Sequence, residues 1–177
     1  MSLWELDSAV VLWMQSVRQP WLDPIMKALS ILGDAGAVWI AISLLLLFFK
    51  RYRRTGLLAL ISLAFCFAIA NLMMKNLVAR PRPYDAIPGL TILVKRLSDY
   101  SFPSGHACSS FAAAPALSEG TGRSWGFLFI SMALLISVSR LYVGVHYPSD
   151  IIAGAAVGIL GGAFIRWLLR RKVPWFN

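Results

Sequence analysis

The sequence predicts an all-α integral membrane protein: a bundle of five to six transmembrane helices with an amphipathic N-terminal helix and a polar site at the extracytoplasmic helix ends. Three observations predict it. Hydrophobic residues make up 58% of the 177-residue chain and charged residues only 14%, against the ~25% charge of an ordinary soluble domain. Several apolar runs approach the ~20 residues needed to cross a bilayer. The basic residues fall at the ends of those runs, where topology and anionic headgroups favour them. The net charge of +9 therefore reads as membrane orientation and not as a nucleic-acid surface. The length is that of a single domain, residues 1–177.

Residues 1–20 place apolar side chains at Leu3, Leu6, Val10, Trp13, Met14 and Val17, with Glu5, Ser8, Gln15 and Ser16 between them. The helical spacing predicts an amphipathic helix lying in the interface, with a short true span as the alternative. Glu5 and Asp7 stand where a cleavable signal would carry positive charge. Pro20 and Pro24 end this helix, and Trp21 is an interface anchor.

Spans are expected at about 28–49, 56–74, 103–117, 125–141 and 151–169. Lys50, Arg51, Arg53 and Arg54 follow the first span, so its end is assigned to the cytoplasm. Connectivity then delivers residues 75–83 outside, 119–124 inside and 140–146 outside, and it returns Arg170, Arg171 and Lys172 to the inside. Size and basic ends suggest a multi-pass protein of a bacterial inner (cytoplasmic) membrane. The apolar stretch 90–94 is too short to span and is expected to dip into the interface. Gly154, Gly158, Gly161 and Gly162 form a small-residue face for close helix packing. Cys66 and Cys108 are placed at different depths and read as small buried residues without a disulfide.

The chain has only two histidines, and each lies at an external segment end. Pro103-Ser104-Gly105-His106 reads as a helix start: Ser is a good N-cap, and Gly lets the backbone approach a ligand. Free amides at such an end favour an anion. His146 precedes Pro148 and Asp150, so Asp150 falls in the first turn of the next helix, within reach of one imidazole nitrogen. That pairing leaves the other nitrogen as a lone-pair donor, prepared as nucleophile or base. Lys75, Arg80, Arg82 and Arg140 collect near these groups. Arg offers a planar fork to phosphate oxygens, and Lys adds a point charge. So many fixed cations suit an anion better than a divalent metal, although two histidines and an Asp are a possible metal-ligand set.

Lys75, six residues, Arg82-Pro83; then Pro103-Ser104-Gly105-His106; then Ser139-Arg140, five residues, His146, three residues, Asp150: these three stretches resemble the signature of the type 2 phosphatidic acid phosphatase superfamily. Those membrane lipid phosphatases share their motif with vanadium haloperoxidases. The resemblance implies that His146 attacks phosphorus to give a phosphohistidine, Asp150 orients it, and His106 protonates the leaving oxygen and later activates water. It implies that Lys75, Arg82, Ser104, the Gly105 amide and Arg140 hold the phosphoryl oxygens, with no metal or other cofactor. Arg80 lies outside the motif and is expected at a headgroup or in solvent. The implied substrate is a lipid phosphate or diphosphate in the bilayer: phosphatidate, phosphatidylglycerol phosphate or undecaprenyl diphosphate. Members acting on the last often carry Asp where Gly105 stands, which leans toward glycerolipids. The rivals are haloperoxidase-type oxidation with bound vanadate and a non-enzymatic anion or lipid transporter.

Overall fold

A computed structural model describes residues 2–176. The chain folds as helices α1 (Leu3–Ser16), α2 (Asp23–Leu32), α3 (Ala37–Leu47), α4 (Arg53–Phe67), α5 (Lys75–Val78), α6 (Pro83–Ala86), α7 (Gly105–Thr121), α8 (Arg123–Tyr142) and α9 (Pro148–Lys172). A π-helical stretch, Ala68–Met74, carries α4 into α5. No strand is present among the described residues.

Helix α7 is the centre of the bundle and packs against α4, α8 and α9. Its buried side chains are small: Ala107, Cys108, Ser110, Ala112, Ala113, Ala114 and Ala116, with Leu117 below them. Small residues let neighbours close in without Leu-sized ridges. Helix α9 uses this fully. A Cβ added at Gly154 would stand 2.4 Å from Ser104 O, and one at Gly158 would stand 2.4 Å from Cys108 O. The larger side chains fill the layer between α3, α4, α7 and α8, where Trp39, Leu58, Leu63, Leu117, Phe129 and Ile136 form one cluster. Trp39 Nε1 donates to Ser110 Oγ at 2.9 Å, so the indole is satisfied as well as buried. The outward faces remain apolar. Phe48, Leu77 and Phe127 are each about four-fifths exposed, a surface made for acyl chains and not for water.

Helix length and apolarity pick out three spans among the described residues: Arg53–Ala86, Arg123–Tyr142 and Pro148–Lys172. Helices α2 and α3 add a fourth as a broken pair bent by 48°. The count of five to six therefore does not follow from those two properties. Helix α1 has 14 residues and α7 has 17, the latter rich in Ala and Ser.

Several local expectations change. The first span begins at Asp23, and its break is a single 3₁₀ turn, Asp34–Gly36, with Ala35 and Gly36 at φ 51° and 70°. On α1 the apolar residues Leu3, Leu6 and Trp13 point outward, while Asp7 and Val11 face the bundle. Residues 90–94 pack on protein: Leu90, Ile92, Leu93 and Val94 cover Tyr84, Val143 and Val145. Cys66 and Cys108 do not lie at different depths. They share one buried cluster where α4 and α7 run side by side, both as free thiols, with Cys108 Sγ 3.7 Å from Cys66 O.

Candidate active site

One end of the bundle collects the end of α5, the start of α7, the end of α8 and the start of α9. Between them lies a cavity of about 760 Å³ whose wall includes Lys75, Arg82, Gly105, His106, Arg140 and His146. The two imidazoles thus face one space. Its other wall is apolar: Ile40, Leu60, Leu63, Ala64 and Phe67, from α3 and α4.

His146 sits in the turn before α9, where Pro148 occupies the first helical position. Its Nδ1 lies 3.4 Å from Asp150 Oδ2, and its Nε2 lies 3.4 Å from Arg82 Nη1. A guanidinium only donates. Nε2 is therefore the lone-pair nitrogen and Nδ1 carries the proton toward the carboxylate. The 3.4 Å separation is long for a hydrogen bond, as catalytic pairs often are before substrate tightens them. Burial pushes the His146 imidazole down to about 3, assisted by Arg82 and Arg140 and only partly offset by Asp150. A neutral ring is what a nucleophile needs.

Asp150 is fully buried and saturated. Oδ2 accepts from Tyr147 N at 2.9 Å and from Ser101 Oγ, while Oδ1 accepts from Arg80 Nη1 at 2.7 Å. Ser104 and Asp150 lie behind the cavity wall. The Ser104 amide donates to Asp150 O at 3.0 Å and its hydroxyl accepts from Ala107 N at 3.4 Å, the N-cap of α7. The Ser104 side chain thus secures the helix start that presents Gly105 and His106.

His106 Nε2 lies 3.0 Å from both Ser30 O and Asp34 Oδ1. Both partners accept, so this nitrogen holds a proton. Two left-handed residues, Ala35 and Gly36, follow Asp34 at the cavity edge, and at Ala35 the conformation is backbone strain of the kind that gathers at functional sites.

The cations are only partly spoken for. Arg82 Nη1 donates to Val145 O at 2.9 Å and Nε donates to Asp99 O at 2.8 Å. The Asp99 carboxylate bridges Lys75 Nζ and Arg82 Nη2. Arg140 is 2% exposed, and its Nη1 meets Ser30 Oγ. Its Nε is buried and finds no hydrogen-bond partner among the described residues. A buried, unpaired guanidinium nitrogen costs free energy unless an anion arrives. Burial alone would raise the Asp99 carboxyl, but Lys75 and Arg82 outweigh it and hold it at about 2. Among the described residues no group of three His, Cys, Asp or Glu side chains is arranged to hold a metal ion.

Sequence reasoning missed Asp34, Asp99, Ser101, Asp7 and the role of Arg80. Arg80 is not at a headgroup or in solvent: it is wedged between Asp7 and Asp150. For Asp34 there was a signal, an acid between two glycines inside an apolar run. The others lie in or meet loops with no spacing to read.

Residues 55–174 match the family model of the PAP2 superfamily, and the chain belongs to that superfamily. It is 38% identical to the undecaprenyl-diphosphatase of Sulfolobus acidocaldarius over 121 residues, 68% of this chain and 58% of that protein. It is 35% identical to the decaprenylphosphoryl-5-phosphoribose phosphatase of Mycobacterium tuberculosis over 162 residues, covering 90% of this chain and 88% of the relative. Among solved structures, LpxE of Aquifex aeolicus superposes with a TM-score of 0.82 at 26% identity, over 90% of this chain and 94% of that one.

Proposed function

We propose that the protein is a membrane lipid phosphatase that removes a terminal phosphate from a lipid phosphate or diphosphate through a phosphohistidine on His146. The observation that carries this reading is the two-ended cavity. Imidazoles and three fixed cations, Lys75, Arg82 and Arg140, line one end, and aliphatic and aromatic side chains from α3 and α4 line the other. The polar end fits a tetrahedral anion and the apolar end fits an acyl or polyprenyl chain.

In the first step His146 Nε2 attacks phosphorus, and the bond to the lipid oxygen breaks. His106 delivers a proton to that oxygen as it leaves. Water then attacks the phosphohistidine, His106 takes its proton, and His146 leaves as a neutral ring with inorganic phosphate released. Lys75, Arg82, the Gly105 amide and Arg140 stabilise charge on the equatorial oxygens, where phosphoryl transfer needs it. This uses only groups the chain supplies.

The site is assigned to the outer face of a bacterial cytoplasmic membrane. The opposite end of the bundle carries Lys50, Arg51, Arg53, Arg54, Arg170, Arg171 and Lys172, the positive-inside pattern. Helix α7 then crosses as a span shielded by its neighbours, bringing the crossings to five, with α1 in the interface.

The test is phosphate release by purified protein in detergent, with EDTA present, from phosphatidate, phosphatidylglycerol phosphate and undecaprenyl diphosphate. Release from at least one, sensitive to vanadate, is expected. No release from any, or activity abolished by EDTA and restored by a divalent ion, overturns the mechanism.

A further inference from the structure

Arg80 is the one cation of the site cluster that does not line the cavity. The chain reaches it through a left-handed residue, Ala79 at φ 48°, which ends α5 and turns the backbone back on the bundle. Arg80 O then accepts from Ser101 N at 2.9 Å. The guanidinium lies over the Tyr147 ring at 3.9 Å from its centroid. Nη1 donates to Asp150 Oδ1 and to Ser149 Oγ, each at 2.7 Å, and Nη2 donates to Asp7 Oδ2 at 2.7 Å. Asp7 is 1% exposed and also accepts from Ser149 N at 3.0 Å.

The geometry points to Arg80 as a positioning residue for the nucleophile, acting through Asp150 and itself held by Asp7 of α1. This rests on the reading of His146 as the attacking group. A carboxylate held only at one oxygen can still pivot about that oxygen. Asp150 is bonded at both, so the oxygen facing His146 Nδ1 stays where it is. Arg80 also withdraws part of the negative charge that Asp150 offers the ring, which keeps the imidazole from becoming too easily protonated. Asp7 fixes the fork by taking its second arm. Helix α1, which has no residue on the cavity wall, is thereby part of the catalytic support.

The competing explanation is a plain tether of α1 to α9. Buried ion pairs are weak evidence for stability, because desolvating three charges offsets much of their attraction. Geometry alone does not separate the two, but turnover per folded molecule, read beside the titration, does. His146 is faced by Arg82 from the stretch before α6, Ser101 from the following loop, His106 from α7, Arg140 from α8 and Asp150 from α9. Arg80 reaches it only through Asp150. A tether would leave turnover per folded molecule alone.

The experiment uses the full chain in detergent, labelled with ¹⁵N-histidine. Only two histidines are present, so His106→Gln assigns both ring signals. Wild type, Arg80→Gln, Arg80→Lys and Asp7→Asn are compared by ring titration and by phosphate-release kinetics. Arg80→Gln is expected to raise the His146 pKa by about one unit. It is expected to lower kcat by about 10–100-fold, as loss of an orienting partner does, with KM changed less than about threefold. Arg80→Lys should recover part of both. Asp7→Asn removes a negative charge and leaves the whole guanidinium to Asp150, so it should lower the His146 pKa slightly while lowering kcat by less than Arg80→Gln does. An unmoved His146 titration in Arg80→Gln overturns the inference, and so does a loss carried wholly by KM. If Arg80→Gln does not fold, Asp7→Asn decides by a fall in kcat with KM held. Wild-type protein that titrates as described but releases no phosphate would sink the proposed function and leave the coupling standing.

Discussion

Arg82 holds Asp99 twice, donating from Nε to its main-chain oxygen at 2.8 Å and from Nη2 to its carboxylate. The second oxygen of that carboxylate is taken by Lys75. Two of the three cations on the cavity wall thus carry an internal anion, on a side chain 48% exposed. Asp99→Asn should therefore tighten binding of inorganic phosphate and of vanadate, by about 3- to 10-fold for a contact worth ~1 kcal/mol. Inhibition constants measured in detergent check this. Weaker binding in the variant would show that Asp99 organises the cations instead of competing for them.

Substitution of the two histidines separates their roles. His146→Ala should lower kcat by at least about 10⁴-fold, since on the proposed mechanism this ring forms the phosphoenzyme. His106→Ala should cost about 10²–10⁴-fold and should slow the second step as well as the first. With a substrate whose leaving group needs no proton, His106→Ala should then accumulate acid-labile phosphate on the protein. Rapid quench with ³²P-labelled substrate reads it. Labelled His146→Ala protein would assign the nucleophile elsewhere.

The parts of the site that lie within continuous stretches of chain were legible from sequence. Pro148 and Asp150 set the α9 start, and Ser104 set the α7 start, because capping and proline geometry are local. The convergence of Lys75, Arg82, Arg140 and both histidines followed from connectivity and charge bias. Asp99, Ser101 and Asp7 were out of reach for a common reason. Each acts across the bundle, from a loop or from the bundle-facing side of α1, and no helical or strand period marks such contacts. Cys66 and Cys108 misled because depth was judged by counting from segment ends, while the π-helical stretch and α5 extend α4 well beyond Cys66.

The depressed His146 pKa predicts an acid-labile fold. In the unfolded chain the ring titrates near its ordinary value of about 6.5, whereas in the fold it stays neutral down to about 3. Stability from this group is complete above about pH 6.5 and is lost as pH falls toward the folded value, because the unfolded state binds the proton first. The slope is at most ~1.4 kcal/mol per pH unit for one proton. Asp99, held at about 2, has its own loss only below its ordinary value of about 3.9. Melting temperature in detergent should thus decline between about pH 6.5 and 4 in wild type. His146→Gln should make that decline shallower, and an equal decline in both would rule out this ring as its source.

The seam between α7 and α9 has no room for a side chain at Gly158. A Cβ at Gly158 would lie 2.4 Å from Cys108 O and 2.9 Å from Ala112 N, both backbone atoms that no rotamer change can move. Gly158→Ala must therefore push the helices apart, at about 1–3 kcal/mol for overpacking. The cost also reaches the site, because α9 carries Asp150 and α7 carries His106 on opposite sides of that seam. Activity should fall by more than the unfolded fraction accounts for, which activity per folded molecule, set against the melting curve, measures. Ile152→Ala is the control: its side chain is 69% exposed on the outer face of the same helix, so it should leave both readouts near wild type. Gly158→Ala that melts and turns over like wild type would mean that the two helices are not in the close register described.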